Sequence, residues 1–351
     1  MGLEKDCKLN LHGKYEKGPK NLITDVAGVK VAHVTLQSED HNVNTGVTAI
    51  LPHSGNVFRE KLFAAASVIN GFGKSVGLVQ MDELGTLESP ILMTNTLSVG
   101  TALTAAVKYM LDKNPEIGVK TGTVNCVVTE CNDGEINDIR GLHVTEADVL
   151  EALKKAEESD GTFEEGAVGG GTGMEMMGIK GGIGSASRVL EIGGRKFTIG
   201  ALCMTNYGND DGLVIGGDYI GRRINEERHK EDKGSCIIVI ATDIPMMDRQ
   251  LKRVANRAAH ALARTGSYSG NGSGDIAIAF STANKVEHFN EKPFKTYEFI
   301  YDDNISPAFE ASVECVEEAL ISSIYHARHT LGVRGRDEKC LQEFLHLYQG
   351  R

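Results

Sequence analysis

Ser235 sits where the charged stretch Asn225-Glu226-Glu227-Arg228-His229-Lys230-Glu231-Asp232-Lys233 runs through Gly234 into the apolar run Cys236-Ile237-Ile238-Val239-Ile240-Ala241. The charged residues read as a solvated loop and the apolar run as a strand buried on both faces, so the hydroxyl stands at the mouth of a rigid element. Cleavage of the Gly234–Ser235 bond gives Ser235 a free α-amino group beside its own hydroxyl, the arrangement of an amino-terminal nucleophile. Such an amine has an unperturbed pKa of roughly 7.7–8.0, so part of it is neutral at pH 7 and accepts the hydroxyl proton. The dipeptide alone is weak support, because Gly-Ser recurs at Gly184-Ser185, Gly266-Ser267 and Gly272-Ser273.

Four other polar residues stand beside apolar runs. Asn206 follows Phe197 to Thr205, where its amide can donate to a developing oxyanion or simply make the turn before Tyr207-Gly208. Glu130 ends the run Val124 to Thr129; it can face a cationic amine, although pattern alone reads it as a solvated turn residue. Ser273 and Asp275 flank Gly274 at the start of a strand around Ile276 to Ser281. They are one pleat repeat apart, so hydroxyl and carboxylate project from one end of that strand. Without further context a turn explains the pair.

Positioning such residues calls for sheets covered by helices, and the patterning supplies both. Strands are predicted at Thr24 to Val29, Val31 to Val34, Thr45 to Leu51, Ser75 to Gln80, Val124 to Thr129, around Val189, at Phe197 to Thr205 and after Ser235. Helices are predicted where Phe58, Leu62, Ala65, Ala66 and Ile69 recur at helical spacing, and over Leu97 to Lys113. Another opens at Thr145-Glu146-Ala147-Asp148 as a capping box. Leu251, Val254, Ala258 and Leu262 share a helical face, and Pro307 to about His329 forms a last helix with Ser306 as its cap. The set fits a four-layer α/β/β/α sandwich or a doubly wound α/β sheet, and periodicity does not choose. No fixed repeat or Pro-rich linker divides the 351 residues, so 1–351 is read as a single domain.

Composition narrows the function class. A net charge of −11 without a basic, aromatic-interleaved cluster argues against nucleic acid. No apolar run approaches the roughly 20 residues that cross a bilayer, so no membrane partner is expected. Seven cysteines without a CxxC pair, and no amino-terminal apolar stretch, read as a reducing, cytoplasmic setting. Cys126, Cys131, Cys203 and Cys236 read as small core residues. Gly73-Lys74-Ser75 lacks the glycine a phosphate loop needs at Val68. As the G-x-S-x-G of Gly73 to Gly77 it should be followed by a helix, and a strand is predicted instead. Gly169-Gly170-Gly171-Thr172-Gly173 reads as a loop allowing close backbone approach. His326 and His329 lack a third metal ligand, so no metal site and no cofactor are inferred.

Together these stretches resemble the family of L-aminopeptidase/D-amidase-esterases and β-peptidyl aminopeptidases over nearly the whole chain. The resemblance is carried by Asn21 to His33, Thr45 to Asn56, Asn70 to Ser75, Thr94 to Gly100, Lys180 to Ser187, Gly234 to Pro245 and Arg264-Thr265-Gly266. It implies an α/β/β/α sandwich of the amino-terminal-nucleophile type, in which a precursor cuts itself into associated chains 1–234 and 235–351. It further implies Ser235 as nucleophile, Asn206 as oxyanion donor, Ser273 with Asp275 as an orienting and proton-shuttling pair, and Glu130 as receiver of the substrate's amino group. The family acidic residue at the Asp275 position can be Glu, one methylene longer, and a tyrosine that some members carry near Asn132 is absent here. The implied reaction is hydrolysis of short peptides, amides or esters with a free amino terminus through an acyl-serine, by a homo-oligomer that the resemblance makes a tetramer. Two other readings stand beside it: an acyltransferase of the ornithine acetyltransferase type, which normally exposes threonine, and a non-catalytic oligomeric binding protein.

Overall fold

Three apolar layers alternate with the backbone, and their order defines the architecture. The computed structural model describes residues 3, 9, 11, 13–225 and 233–350. The charged residues 226–232, expected to be a solvated loop, lie outside the described residues. Asn225 at their start is buried and donates to Asp210 O.

A four-stranded sheet has the order β1 (Lys30–Gln37), β2 (Asn44–Leu51), β5 (Ile91–Asn95), β6 (Val127–Cys131). A six-stranded sheet has the order β4 (Thr86–Leu87), β3 (Glu60–Gly71), β12 (Gly272–Glu287), β11 (Lys233–Thr242), β10 (Arg195–Asn206), β9 (Gly182–Ile192). Ile50, Met93 and Val127 of the first sheet meet Leu202, Ile237, Val239 and Ile278 of the second in one buried layer between them. The outer face of the first sheet buries Val47, Ala49 and Val128 against α2 (Val99–Lys113) and α3 (Glu146–Glu158). The outer face of the second buries Ile238, Ile240 and Cys203 against α5 (Asp248–Ala255), α6 (Ala258–Arg264) and α7 (Ser306–Tyr325). Helix, sheet, sheet, helix is therefore the layer order, and the doubly wound alternative, a single sheet between helices, is excluded. Two short helices, α1 (Leu78–Leu84) and α4 (Ile220–Ile224), and two small hairpins, β7 (Glu175–Met176) with β8 (Ile179–Lys180) and β13 (Thr330–Leu331) with β14 (Asp337–Glu338), complete the fold.

Several local expectations change. The Leu62 to Ile69 part of the helical pattern is the long strand β3, with Phe58 preceding it, because a strand buried on both sheet faces shows no clear period of two and its alanines mimic a helical stripe. Leu62, Ala64 and Ala66 enter the inter-sheet layer while Ala65 points to the opposite one. Leu78 to Gln80 belong to a helix, which starts after Gly77 turns left-handed at φ 88°. A helix thus follows Gly73 to Gly77 after all, yet Val76 pairs with Val128 on the way, so the segment lacks the sharp turn of a nucleophile elbow. Residues 24 and 25 lie in a 3-10 turn. The helical face of Leu251 to Leu262 is split between α5 and α6, and Ser306 is inside α7 without a capping bond. The capping box of Thr145 with Asp148 is present.

Candidate active site

The register of the six-stranded sheet assembles the site. β10 runs antiparallel to β11 with Asn206 directly opposite Ser235, and β12 runs parallel to β11 with Gly274 opposite Ser235. Residues paired across a ladder share a face, so the Asn206 amide and the Ser235 hydroxyl project the same way. Glycine at 274 leaves that hydroxyl its space, since a Cβ there would lie 3.0 Å from Ser235 Oγ. The Gly234–Ser235 junction lies inside β11, and Ser235 Oγ donates to Gly234 O at 2.6 Å. Gly234 has φ 137°, and a Cβ on it would come within 2.0 Å of Asn206 O. Only glycine fits at this junction.

Ser273 and Asp275 form the expected pair. Ser273 Oγ donates to Asp275 Oδ1 at 2.7 Å, and both are fully buried. Ser273 stands opposite Gly234 and Asp275 opposite Cys236, so both side chains lie on the face away from the Ser235 hydroxyl.

Asn206 is held at both ends of its amide. Its Oδ1 accepts from Glu175 N at 3.0 Å and its Nδ2 donates one hydrogen to Asn132 O at 3.0 Å. The turn-asparagine reading does not describe it, because these partners come from two other segments.

Glu130 is 2% exposed, not a solvated turn residue. Its Oε1 accepts from Lys74 N at 2.7 Å and its Oε2 from the Thr96 hydroxyl. The Gly73-Lys74 backbone lies between this carboxylate and the strand pair: a Cβ on Gly73 would be 3.5 Å from Glu130 Oε1 and 3.8 Å from Gly274 Cα. Next to Glu130, Cys131 Sγ contacts Ser235 O at 3.3 Å, tying the end of β6 to the start of β11. Each carboxylate oxygen keeps a second lone pair for a further donor. Asp133 turns elsewhere: it accepts from Thr45 Oγ1 at 2.6 Å and Asn137 Nδ2 at 3.0 Å, and burial pushes its carboxyl up to about 7.

Residues not singled out from the sequence also build the site. Asn70 donates to Gly270 O at 3.0 Å and to Ser273 O, pinning the loop that leads into β12. Thr96 and the Lys74 N–H become visible only once the two sheets meet. Gly169 to Gly171 pack tightly as expected, a Cβ on Gly171 falling 2.5 Å from Ile183 N. Cys126, Cys131, Cys203 and Cys236 are buried in the core. His326 bonds Ser322 and His329 pairs with Asp337.

The profile of peptidase family S58 matches residues 21–338. The chain belongs to this family. It is 37% identical over 341 residues to the β-peptidyl aminopeptidase BapA of Sphingosinicella microcystinivorans, covering 91% of this chain and 84% of the relative. It superposes with a TM-score of 0.92 on the crystal structure of the PH0078 protein from Pyrococcus horikoshii OT3, at 49% identity over 97% of this chain and 96% of that one. With a TM-score of 0.86 and 36% identity, over 96% and 98% of the chains, it matches the L-aminopeptidase D-Ala-esterase/amidase of Ochrobactrum anthropi, a prototype for the serine aminopeptidases and a variant of the Ntn hydrolase fold. The four-layer sandwich and the hydrolase class are thereby shown for this chain. Among the described residues no helix is long and apolar enough to cross a membrane.

Proposed function

We propose that this S58 hydrolase matures by cutting its own Gly234–Ser235 bond and then acts as an aminopeptidase or amino-amidase on short substrates through an acyl-Ser235 intermediate. The single observation that carries this reading is the ladder register that sets Asn206, Ser235 and Gly274 side by side on one face. In the first step Ser235 Oγ attacks the Gly234 carbonyl carbon and the C–N bond breaks, its nitrogen taking the hydroxyl proton, which frees the Ser235 amine and leaves a Gly234–Oγ ester; water then hydrolyses that ester, releasing the Gly234 carboxylate and restoring the hydroxyl. That amine then takes the hydroxyl proton when Oγ attacks a substrate carbonyl, with the Ser273–Asp275 pair as the proposed orienting and proton-shuttling partners. Asn206 donates its second amide hydrogen to the oxyanion, Glu130 receives the substrate ammonium, and water releases the acyl group.

The products 1–234 and 235–351 stay associated in this proposal because β11 and β12 are central strands of the sheet. β11 pairs with β10, and β12 with β3, both from the first product. A homo-oligomer, a tetramer by resemblance, is proposed to cover exposed apolar side chains such as Val79, Leu84, Phe294 and Tyr301. The six cysteines among the described residues are free and buried, which suits the proposed cytoplasmic setting. The relatives are peptidases, and the exposed residue is serine, so the acyltransferase and binding-protein readings have no observation in their favour.

Intact-mass measurement of aged wild-type protein tests the first half: chains 1–234 and 235–351 are expected, and persistent full-length protein refutes self-cleavage. The second half is tested on one amino-acyl amide offered free and N-acetylated, with hydrolysis expected only of the free form. Asn206→Ala is expected to lower kcat by about 10²–10³ while KM changes little, since an oxyanion donor acts mainly in the transition state. Maturation of that variant is checked first by mass. A fully processed variant with wild-type turnover removes Asn206 from the mechanism.

A further inference from the structure

A fully buried lysine lies behind the oxyanion donor, and the proposed mechanism has not used it. Lys180, on β8, has its ammonium shut away from solvent. Its Nζ donates to Met174 O at 2.7 Å, Gly181 O at 2.7 Å and Gly171 O at 3.2 Å. An ammonium has three hydrogens, and all three go to backbone carbonyls. Burying a charge without direct ion pairing is costly, so an apolar residue is the cheaper way to fill such a site.

What the charge touches gives it a use. The Met174–Glu175 peptide unit has two ends. Its carbonyl accepts from Lys180 Nζ and from Gly181 N at 2.9 Å, and its N–H donates to Asn206 Oδ1 at 3.0 Å. Ammonium, peptide and asparagine amide thus form one continuous hydrogen-bonded chain. Donation to an amide oxygen withdraws electron density from its nitrogen and makes the N–H a better donor, and the effect passes along such chains. The last donor in the chain is Asn206 Nδ2, one hydrogen of which is fixed on Asn132 O, leaving the other for the Ser235 face.

We infer that Lys180 is a positioning residue for the oxyanion site, holding and polarising the Met174–Glu175 peptide so that Asn206 is locked in orientation and donates more strongly. This rests on the reading of Asn206 as the oxyanion donor. The charge responds to pH in the working range, because burial pushes the Lys180 ammonium down to about 7. The groups facing it are Glu338, Glu175 and Asp133, which favour its charge, and Arg328, which opposes it. Since deprotonation removes the polarising charge, Lys180 should contribute to a fall in kcat as pH rises through neutrality.

The test compares wild type, Lys180→Met, Asn206→Ala and the double variant, each confirmed by mass to be processed, on a saturating amino-acyl amide from about pH 6 to pH 9. Lys180→Met is expected to lower kcat on the order of tenfold, part of what losing the whole donor costs, with KM within about twofold. In the Asn206→Ala background the same substitution should have no further effect. The alkaline fall near neutrality should be present in wild type and missing from Asn206→Ala, whereas the substrate's own amine titrates in both. Should Lys180→Met fail to fold or mature, the wild-type and Asn206→Ala profiles decide by themselves. If Asn206→Ala does not mature, the comparison is made on the rate of self-cleavage of wild type and Lys180→Met. Equal losses from Lys180→Met in both backgrounds, identical alkaline limbs, or a self-cleavage rate that Lys180→Met leaves unchanged overturn the inference. Asn206→Ala turning over like wild type instead overturns the oxyanion reading beneath it, and the role of Lys180 with it.

Discussion

Ser235→Ala is expected to remain one chain of 351 residues and to hydrolyse no amino-acyl amide. Both losses come from one atom. Without Oγ nothing adjacent attacks the Gly234 carbonyl, and without the cut no free amine forms at residue 235. The fold should survive, because among the described residues the hydrogen bond of Ser235 Oγ is to the neighbouring Gly234 O, and alanine fits where a hydroxymethyl did. The melting temperature therefore serves as the control: it should stay within about a degree of the unprocessed wild type, a shift that corresponds to under about 1 kcal/mol for a chain of this length. Ser235→Cys separates loss of the nucleophile from loss of fit. A thiol of similar size should restore some cleavage, seen as slow appearance of chains 1–234 and 235–351. A Ser235→Ala protein that is cut at this bond, or that turns over the amide, refutes the amino-terminal-nucleophile mechanism.

That junction is legible in the sequence because its two signals are local. A charged stretch and a buried strand adjoin at Gly234-Ser235, and both the strand and the hydroxyl's place at its start are observed. The pair Ser273 and Asp275 is legible for the same reason, as two residues one pleat repeat apart hydrogen-bond directly. What the pair faces is not legible. Only the parallel register with β11 turns both side chains away from the Ser235 hydroxyl, and register depends on strands far apart in sequence. Asn206 opposite Ser235 is a fact of the same kind.

Glu130 misleads for a further reason. Its local pattern is that of a strand end before Asn132-Asp133-Gly134, where solvent is the ordinary environment. Lys74 N, from a loop, and the Thr96 hydroxyl, from the 3-10 turn after β5, reach it across the fold. Similarly β3 hides as a helix: enclosure between two apolar layers removes the alternation that marks a half-exposed strand. Patterning thus fails where burial or its period is set by segments far away in the chain, as it is for Glu130 and for β3.

Glu130→Gln is expected to reduce kcat/KM on a free-amine amino-acyl amide by roughly 30- to 4,000-fold, the equivalent of about 2–5 kcal/mol for breaking a desolvated charge pair. The upper part of that range applies to a buried carboxylate, and Glu130 is 2% exposed. Glutamine can keep the shape of the site. Its carbonyl oxygen accepts from Lys74 N, and its NH2 faces Thr96, whose hydroxyl can turn and become the acceptor. The loss should therefore fall on the ammonium pairing rather than on folding, and processing at Gly234–Ser235 should proceed as in wild type. On the N-acetylated amide wild type and variant should be equally poor, since the blocked nitrogen carries no charge for Glu130 to meet. Equal hydrolysis of free and acetylated substrates by wild type defeats the aminopeptidase reading. Discrimination by wild type that survives intact in Glu130→Gln keeps the specificity but takes Glu130 out of it. Asp133 does not then inherit the role, because its oxygens are engaged by Thr45 and Asn137 and burial pushes its carboxyl up to about 7, disfavouring its charge. The ammonium would instead have to be held by neutral acceptors, and specificity would show as loss on substrate methylation rather than on acetylation alone.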